Sequence, residues 1–297
     1  MDGRRAGLID GTIGVIIFSG SLVATRFAVI DLDPLFATWA RAVGAAMLAG
    51  GALMLAPRPL PSRREFAALL VVSATVVVGF PLFSALALRE ITAARATLFI
   101  GLLPLFTAAF AILRGVARPP RPAFWLFGVI GSAVVAAYAL GGSLAGSLRG
   151  DLAILAAVVS AGLGYAEGAR LTARLGGRRV ISWAVVLALP LSLPAAIHLW
   201  PDWTLVGWPA IGGLAYTAAF SQWIGFLFWY RGLERGGVAA VSQLQLLQPF
   251  FGLILAAALL GDAVGPRLAL ATALVVLCVV GARRHAAPTP RPVDETK

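Results

Sequence analysis

The chain reads as one five-span hydrophobic unit written twice, in residues 1–145 and again about 144 residues later in 146–288. A span needs roughly 20 apolar residues to cross about 30 Å of hydrocarbon. Stretches of that kind lie at 9–28, 34–56, 66–87, 91–113, 122–141, 151–171, 180–200, 206–230, 238–260 and 266–283. Because five is odd, the second copy must enter the bilayer upside down. Two oppositely oriented copies around a membrane midplane are the usual build of an alternating-access carrier. The expected fold is therefore all-α: ten transmembrane helices as two inverted five-helix repeats around a central cavity, followed by a tail at 289–297.

Composition agrees with this reading. Mean hydropathy is +0.90 and 60% of residues are hydrophobic, with connections too short to hold a soluble domain. Nine further spans follow the first, which argues against a cleaved signal peptide. A net charge of +11 is of the size nucleic-acid-binding chains carry, but its distribution argues against such a partner. With a cytoplasmic N-terminus, 18 of the 24 basic residues fall on the inner side, among them Arg63, Arg64, Arg114, Arg170, Arg174, Arg231 and Arg235. An inner excess of Lys and Arg sets topology, so both termini are expected in the cytoplasm. The basicity also attracts anionic lipid. The single cysteine, Cys278, allows no internal disulfide. It reads as a packing residue.

The two halves correspond residue by residue. Thr38-Trp39-Ala40 answers Ser182-Trp183-Ala184, and Pro57 answers Pro201, both at an offset of 144. Asp10 with Ser19 answers Asp151 with Ser160 at 141, Arg89-Glu90 before span 4 resembles Glu234-Arg235 before span 9, and Pro104 answers Pro249 at 145. Five matches in chain order are hard to obtain by chance from apolar composition.

These residues resemble the drug/metabolite transporter superfamily of EamA type, over about residues 9–284. The stretch from Ser19 to Arg26 resembles the family's opening motif, with Ser19 where a Trp is usual and Tyr165 at that place in the second half. Arg41 in Trp39-Ala40-Arg41 looks like the family's Arg of the second span. Leu103-Pro104-Leu105 and Gln248-Pro249-Phe250 fit its apolar-Pro-apolar signature. The usual closing Leu-Gly-Glu is Leu113-Arg114-Gly115 and Leu260-Gly261-Asp262 here. The resemblance implies that spans 1, 3, 4, 6, 8 and 9 surround the cavity, in a bacterial inner membrane. It also implies export of small organic metabolites, with amino acids, including aromatic and hydrophobic ones, as a prominent class.

Candidate substrate contacts follow from helix chemistry. A proline within a span frees a backbone carbonyl, which is tolerated where a cavity or neighbour satisfies it. Pro104 and Pro249 lie near the middle of corresponding spans, the pattern that marks a carrier site. Gln245 and Gln248, three residues apart, share a helix face beside Pro249. Gln243 is a third amide of the same span. Tyr216, Phe220 and Trp223 recur at helical spacing as an aromatic stripe. Ser19 and Ser21 come from span 1, Ser160 and Tyr165 from span 6, and Phe80, Ser84 and Phe99 from spans 3 and 4. Each has a plainer reading as helix packing or interhelical hydrogen bonding.

Charged residues near the span ends suggest gates. Arg41 sits seven residues into span 2, about 10 Å deep at 1.5 Å per residue. It either snorkels outward or pairs with Asp31, Asp33 or Glu90 in an outer closure with Arg26 and Arg95. Glu167 is expected beside Arg170 or Arg174 in an inner closure with Arg231, Glu234 or Arg235. No Asp, Glu or His lies near the middle of a span, so no midplane proton relay is indicated. Neutral, zwitterionic or amphipathic solutes fit such a path better than strong cations. No metal-ligand pair of histidines, phosphate loop or Ser/His/Asp set is present, so no enzyme activity and no cofactor are expected. The expected partners are a small-molecule substrate and the lipid bilayer, with the chain a monomer or weak homodimer. Two competing readings remain, a broad drug or amphipath exporter of the same fold and a membrane enzyme or assembly subunit that transports nothing.

Overall fold

The computed structural model describes residues 3–55, 60–115, 121–140, 147–236 and 241–285, apart from the side chains of a few residues that include Glu234, Ser242 and Gln243. The expected tail at 289–297, the repeat boundary at 145/146, and the expected roles of Gln243 and Glu234 lie outside the described residues. Those residues are helical, with turns between. Seven helices are long and apolar enough to cross a membrane, and three apolar helices are shorter: Pro122–Tyr138, Leu244–Leu260 and Pro266–Ala282. The chain is a multi-pass membrane protein.

Span 1 is two helices, α1 (Gly3–Ser19) and α2 (Ser21–Asp31), separated at Gly20. Span 2 is α3 (Pro34–Leu55). Span 3 opens as α4 (Arg63–Val72), passes through a π-helical stretch at Ser73–Gly79 and continues as α5 (Phe80–Glu90). A capping box starts α4: the Ser62 hydroxyl accepts from the Glu65 N–H, and the Glu65 carboxylate accepts from the Ser62 N–H, satisfying end groups with no intrahelical partner. Span 4 is α6 (Ala93–Ile100) and α7 (Leu103–Leu113), and span 5 is α8 (Pro122–Leu140).

The second half runs α9 (Leu148–Leu175), α10 (Gly177–His198), α11 (Trp208–Tyr216), a second π-helical stretch at Thr217–Ile224, and α12 (Gly225–Gly236). A 3₁₀ segment at Ser242–Leu247 leads into α13 (Gln248–Leu260), and α14 (Pro266–Arg284) closes the chain. Pro190 and Pro194 lie within α10, which runs on past both.

The irregular backbone recurs at matching places. The π-helical stretches occupy corresponding parts of spans 3 and 8. Spans 4 and 9 are both interrupted just before Pro104 and Pro249, which stand in the first turn of α7 and α13. There the absent N–H and the fixed φ of proline suit a helix start. Span 1 breaks at Gly20, whereas its counterpart α9 is continuous for 28 residues.

The spans pack crosswise between the halves. Span 1 lies on span 8, span 2 on span 7, span 3 on span 6, span 4 on span 9 and span 5 on span 10. Exchanging spans 1–5 with 6–10 returns the same set of pairs. Close approach depends on small residues, as expected where lipid leaves dispersion and geometry to hold helices together. A Cβ on Gly213 would lie 2.3 Å from the Ala24 carbonyl oxygen, and one on Gly232 would lie 2.7 Å from the Gly11 nitrogen.

Candidate functional site

The crossing of these pairs leaves a central cavity lined from both halves. Span 1 supplies Phe18, Ser19 and Ser21, and span 8 supplies Ser221, Gln222 and Phe226. Arg41, Phe80, Thr97, Tyr165, Gln248 and Pro249 bring in spans 2, 3, 4, 6 and 9. Its volume is about 40 Å³, room for a few water molecules at roughly 10–15 Å³ each. That space is too small for an amino acid.

The polar groups are concentrated where the irregular helices meet. The Ser21 and Ser221 hydroxyls are 2.6 Å apart. Arg41 Nη2 donates to Gln222 Oε1 at 2.6 Å and to Ser221 Oγ at 3.3 Å. Gln222 Nε2 donates to the Val77 carbonyl at 3.4 Å, so the side chain of one π-helical stretch reaches the backbone of the other. Ser19 donates to the Val15 carbonyl at 2.8 Å and to the Gln248 carbonyl at 3.3 Å. Aromatic walls complete the cavity, with Phe226 edge-on to Phe18 at 4.9 Å and to Tyr165 at 6.2 Å between ring centroids.

Of the residues singled out from the sequence, Ser19, Ser21, Phe80, Tyr165, Gln248 and Pro249 line this cavity. Pro104 and Gln245 line a smaller cavity of about 20 Å³ next to it, sharing Gln248 and Pro249. The others lie elsewhere. Ser84 bonds to carbonyls of its own helix at Phe80 and Pro81. Phe99 is buried in the main hydrophobic core. Ser160 donates to the Thr75 carbonyl at 3.0 Å, bracing the first π-helical stretch. Tyr216 donates to the Ile17 carbonyl at 2.8 Å beside the break at Gly20. Phe220 is 45% exposed, and the Trp223 indole N–H donates to Ser182 Oγ at 3.0 Å.

The stripe Tyr216, Phe220, Trp223 misses the cavity for a geometric reason. Its spacing assumes 3.6 residues per turn, but Thr217–Ile224 is wound as a π-helix with i→i+5 bonding. The wider turn shifts the register and turns Ser221, Gln222 and Phe226 inward. Ser221, Gln222, Thr97, Phe18 and Phe226 are among the cavity residues that periodicity misses. A buried amide beside a buried serine was the available signal for Gln222.

The charged residues also settle differently from expectation. Arg41 turns inward and is 4% exposed. Asp31 and Asp33 are engaged elsewhere: Asp31 accepts from the Gly207 N–H at 2.9 Å, and Asp33 accepts from the Leu35 N–H at 2.8 Å at the start of α3. Arg26 donates to the Leu88 carbonyl. Arg95 forms a two-pronged ion pair with Asp151, both near the N-terminal ends of their helices. Glu167 pairs with Arg170, as one expected alternative, and with Arg114 at 3.7 Å. Arg231 and Arg235 go to Asp10 instead, at 2.6 and 3.3 Å. Among the described residues no group of His, Cys, Asp and Glu is arranged to hold a metal ion.

Comparison with known proteins agrees with this architecture. The model of the EamA-like transporter family matches twice, over residues 5–139 and 148–283. A protein of Bacillus subtilis (strain 168) named uncharacterized transporter YdeK is 55% identical over 287 residues, covering 96% of this chain and all of that protein. An uncharacterized transporter of Haemophilus influenzae is 30% identical over 82 residues, covering 27% of this chain and 48% of that one. A solved crystal structure superposes with a TM-score of 0.66 at 21% identity, over 95% of this chain and 98% of its own; the likeness is one of fold.

Proposed function

The chain belongs to the EamA-like transporter family, and from that premise we propose a secondary carrier that moves small organic metabolites by alternating access through the central cavity. The observation that carries the reading is the cavity itself. Both halves contribute to it, most of its polar groups sit at interrupted or π-wound helices, and its present volume is too small for a solute without a change of state. Irregular backbone at membrane depth belongs where it lines a path.

In this reading the two halves are inverted repeats with both termini in the cytoplasm of a bacterial inner membrane. The Arg95–Asp151 pair holds one end closed, and the pairs of Asp10 and Glu167 hold the other. Opening one end while the other stays paired gives alternating access. Amino acids, aromatic and hydrophobic ones included, are the first solutes to try, in the export direction.

Counterflow in proteoliposomes tests the proposal. Vesicles loaded with unlabelled amino acid should accumulate external label transiently, and protein-free vesicles should not. Movement of a lipophilic cation instead would make the chain a broad amphipath exporter. Absence of movement for every solute tried would remove the carrier reading.

A further inference from the structure

Arg41 is a buried cation facing the cavity with only neutral partners. Its Nη2 is held by an amide oxygen and a hydroxyl, and its Nε, also buried, has no acceptor. No carboxylate lies within ion-pair distance of it among the described residues. The buried carboxylates are all engaged elsewhere: Asp10 with Arg231, Asp151 with Arg95, and Glu167 with Arg170. Among the described residues, the side chains lining the cavity include no Asp or Glu. A charge held out of water without a counter-ion is costly, and an ionisable group inside a membrane bundle marks a solute path with its partner to be named.

We propose that the missing partner is the carboxylate of the transported solute, so that the carrier's substrates are small organic carboxylates and Arg41 is the residue that selects them. This rests on the carrier reading above. The planar guanidinium suits a carboxylate, to which it can donate two parallel bonds. Its idle Nε is one of the donors such a bond uses. The Ser21 and Ser221 hydroxyls share one hydrogen bond beside it, which leaves one of the two protons to donate to the solute. Phe18, Phe80 and Phe226 offer the rest of the solute an apolar wall. An ammonium on the solute would meet only neutral acceptors, such as the Gln222 amide oxygen. Recognition therefore depends on the carboxylate, whether an amino acid or a plain acid brings it.

The test is a matched series on the purified full-length protein: phenylalanine, phenylalaninamide, 3-phenylpropionate and phenethylamine, with alanine, alaninamide and propionate as the short set. Thermal unfolding in detergent reads binding, and counterflow in proteoliposomes reads transport. Carboxylate-bearing members should stabilise the wild type and move, while amides and the amine should be about tenfold or more weaker, the loss expected for a hydrogen bond to a charged group. Stabilisation by phenylalanine or alanine would identify an amino acid as the source, and by the plain acids alone an organic acid. Arg41→Gln should abolish the preference for acid over amide, and Arg41→Lys should restore part of it, which a merely structural role would not do. Amides performing as well as acids on the wild type would overturn the proposal, with no variant needed. So would an undiminished acid preference in Arg41→Gln. If only solutes without a carboxylate move, this inference falls and the carrier stands; if neither this series nor a lipophilic cation moves, both fall.

Discussion

Arg95 and Asp151 face each other in a parallel two-bond pair, Nε to Oδ1 at 2.8 Å and Nη2 to Oδ2 at 2.7 Å, joining the first half of the chain to the second. The side chains are 4% and 8% exposed, and the guanidinium also lies 5.3 Å from the centre of the Tyr138 ring. Removing one member of such a pair strands the other charge in a dry site. Arg95→Gln or Asp151→Asn should each lower unfolding stability by about 3–5 kcal/mol. Arg95→Leu with Asp151→Leu should lose less than the two single leucine variants added together. Thermal unfolding of these five variants and the wild type in one detergent is the measurement. Single variants indistinguishable from wild type would show the pair to be idle.

The pair bears on mechanism as well. If it closes one end of the path, breaking it shifts the population toward the state open at that end. A cysteine placed at Phe80, on the cavity wall, in a Cys278→Ala background should then react faster with a membrane-impermeant thiol reagent in Asp151→Asn than in the unaltered pair. Cys278 is itself buried and free, so its replacement leaves the background quiet. Equal labelling rates would separate the pair from gating.

Arg41 predicts the opposite sign for stability. Its cationic head is held by neutral acceptors, so the folded protein carries a desolvation cost that no ion pair offsets. Replacing a buried charge with an apolar side chain of similar volume is often neutral or stabilising, by about 1–4 kcal/mol. Arg41→Met should therefore unfold at the same or a higher temperature while losing transport, the exchange of stability for function expected at a working site. A large drop in unfolding temperature would make Arg41 a structural residue.

What the sequence makes legible, and what it hides, follows from which forces are local. Ten apolar stretches are visible because hydrocarbon thickness imposes a length on each. The interruptions at Pro104 and Pro249 are visible because proline lacks an N–H wherever it stands. The aromatic stripe of span 8 misleads because the winding of Thr217–Ile224 is set by neighbours: Gln222 reaches Val77, and Arg41 reaches Gln222. Arg41 carries the same lesson. Its distance from the end of span 2 could be counted, but not that Asp31 and Asp33 would accept backbone N–H groups and leave it to turn inward.

Two hydroxyls read from sequence as substrate contacts are better understood as braces on irregular backbone. The Tyr216 hydroxyl serves the Ile17 carbonyl next to Gly20, and Ser160 serves the Thr75 carbonyl within the first π-helical stretch. Tyr216→Phe and Ser160→Ala should each cost about 1 kcal/mol, the usual worth of one intramolecular hydrogen bond. Neither should change the ranking of solutes. A changed ranking in counterflow, with stability intact, would return either residue to the binding surface.

Gly212 and Gly213 give the sharpest test of how spans 1 and 8 are joined, because the two are neighbours in sequence and differ completely in surroundings. A Cβ on Gly213 would stand 2.3 Å from the Ala24 oxygen and 2.8 Å from the Ala28 nitrogen, both backbone atoms that cannot step aside; around Gly212 nothing lies within 4 Å. Gly213→Ala must push α11 away from α2, and overpacking of that kind costs about 1–3 kcal/mol or more. Gly212→Ala should be neutral or raise stability by up to about 1 kcal/mol, since alanine is the better helix former. If spans 1 and 8 move as one body during transport, Gly213→Ala should also slow counterflow more than its stability loss accounts for. Unfolding temperature and counterflow rate on the two variants together check both claims, and equal behaviour of the two alanines would rule out backbone contact between the spans.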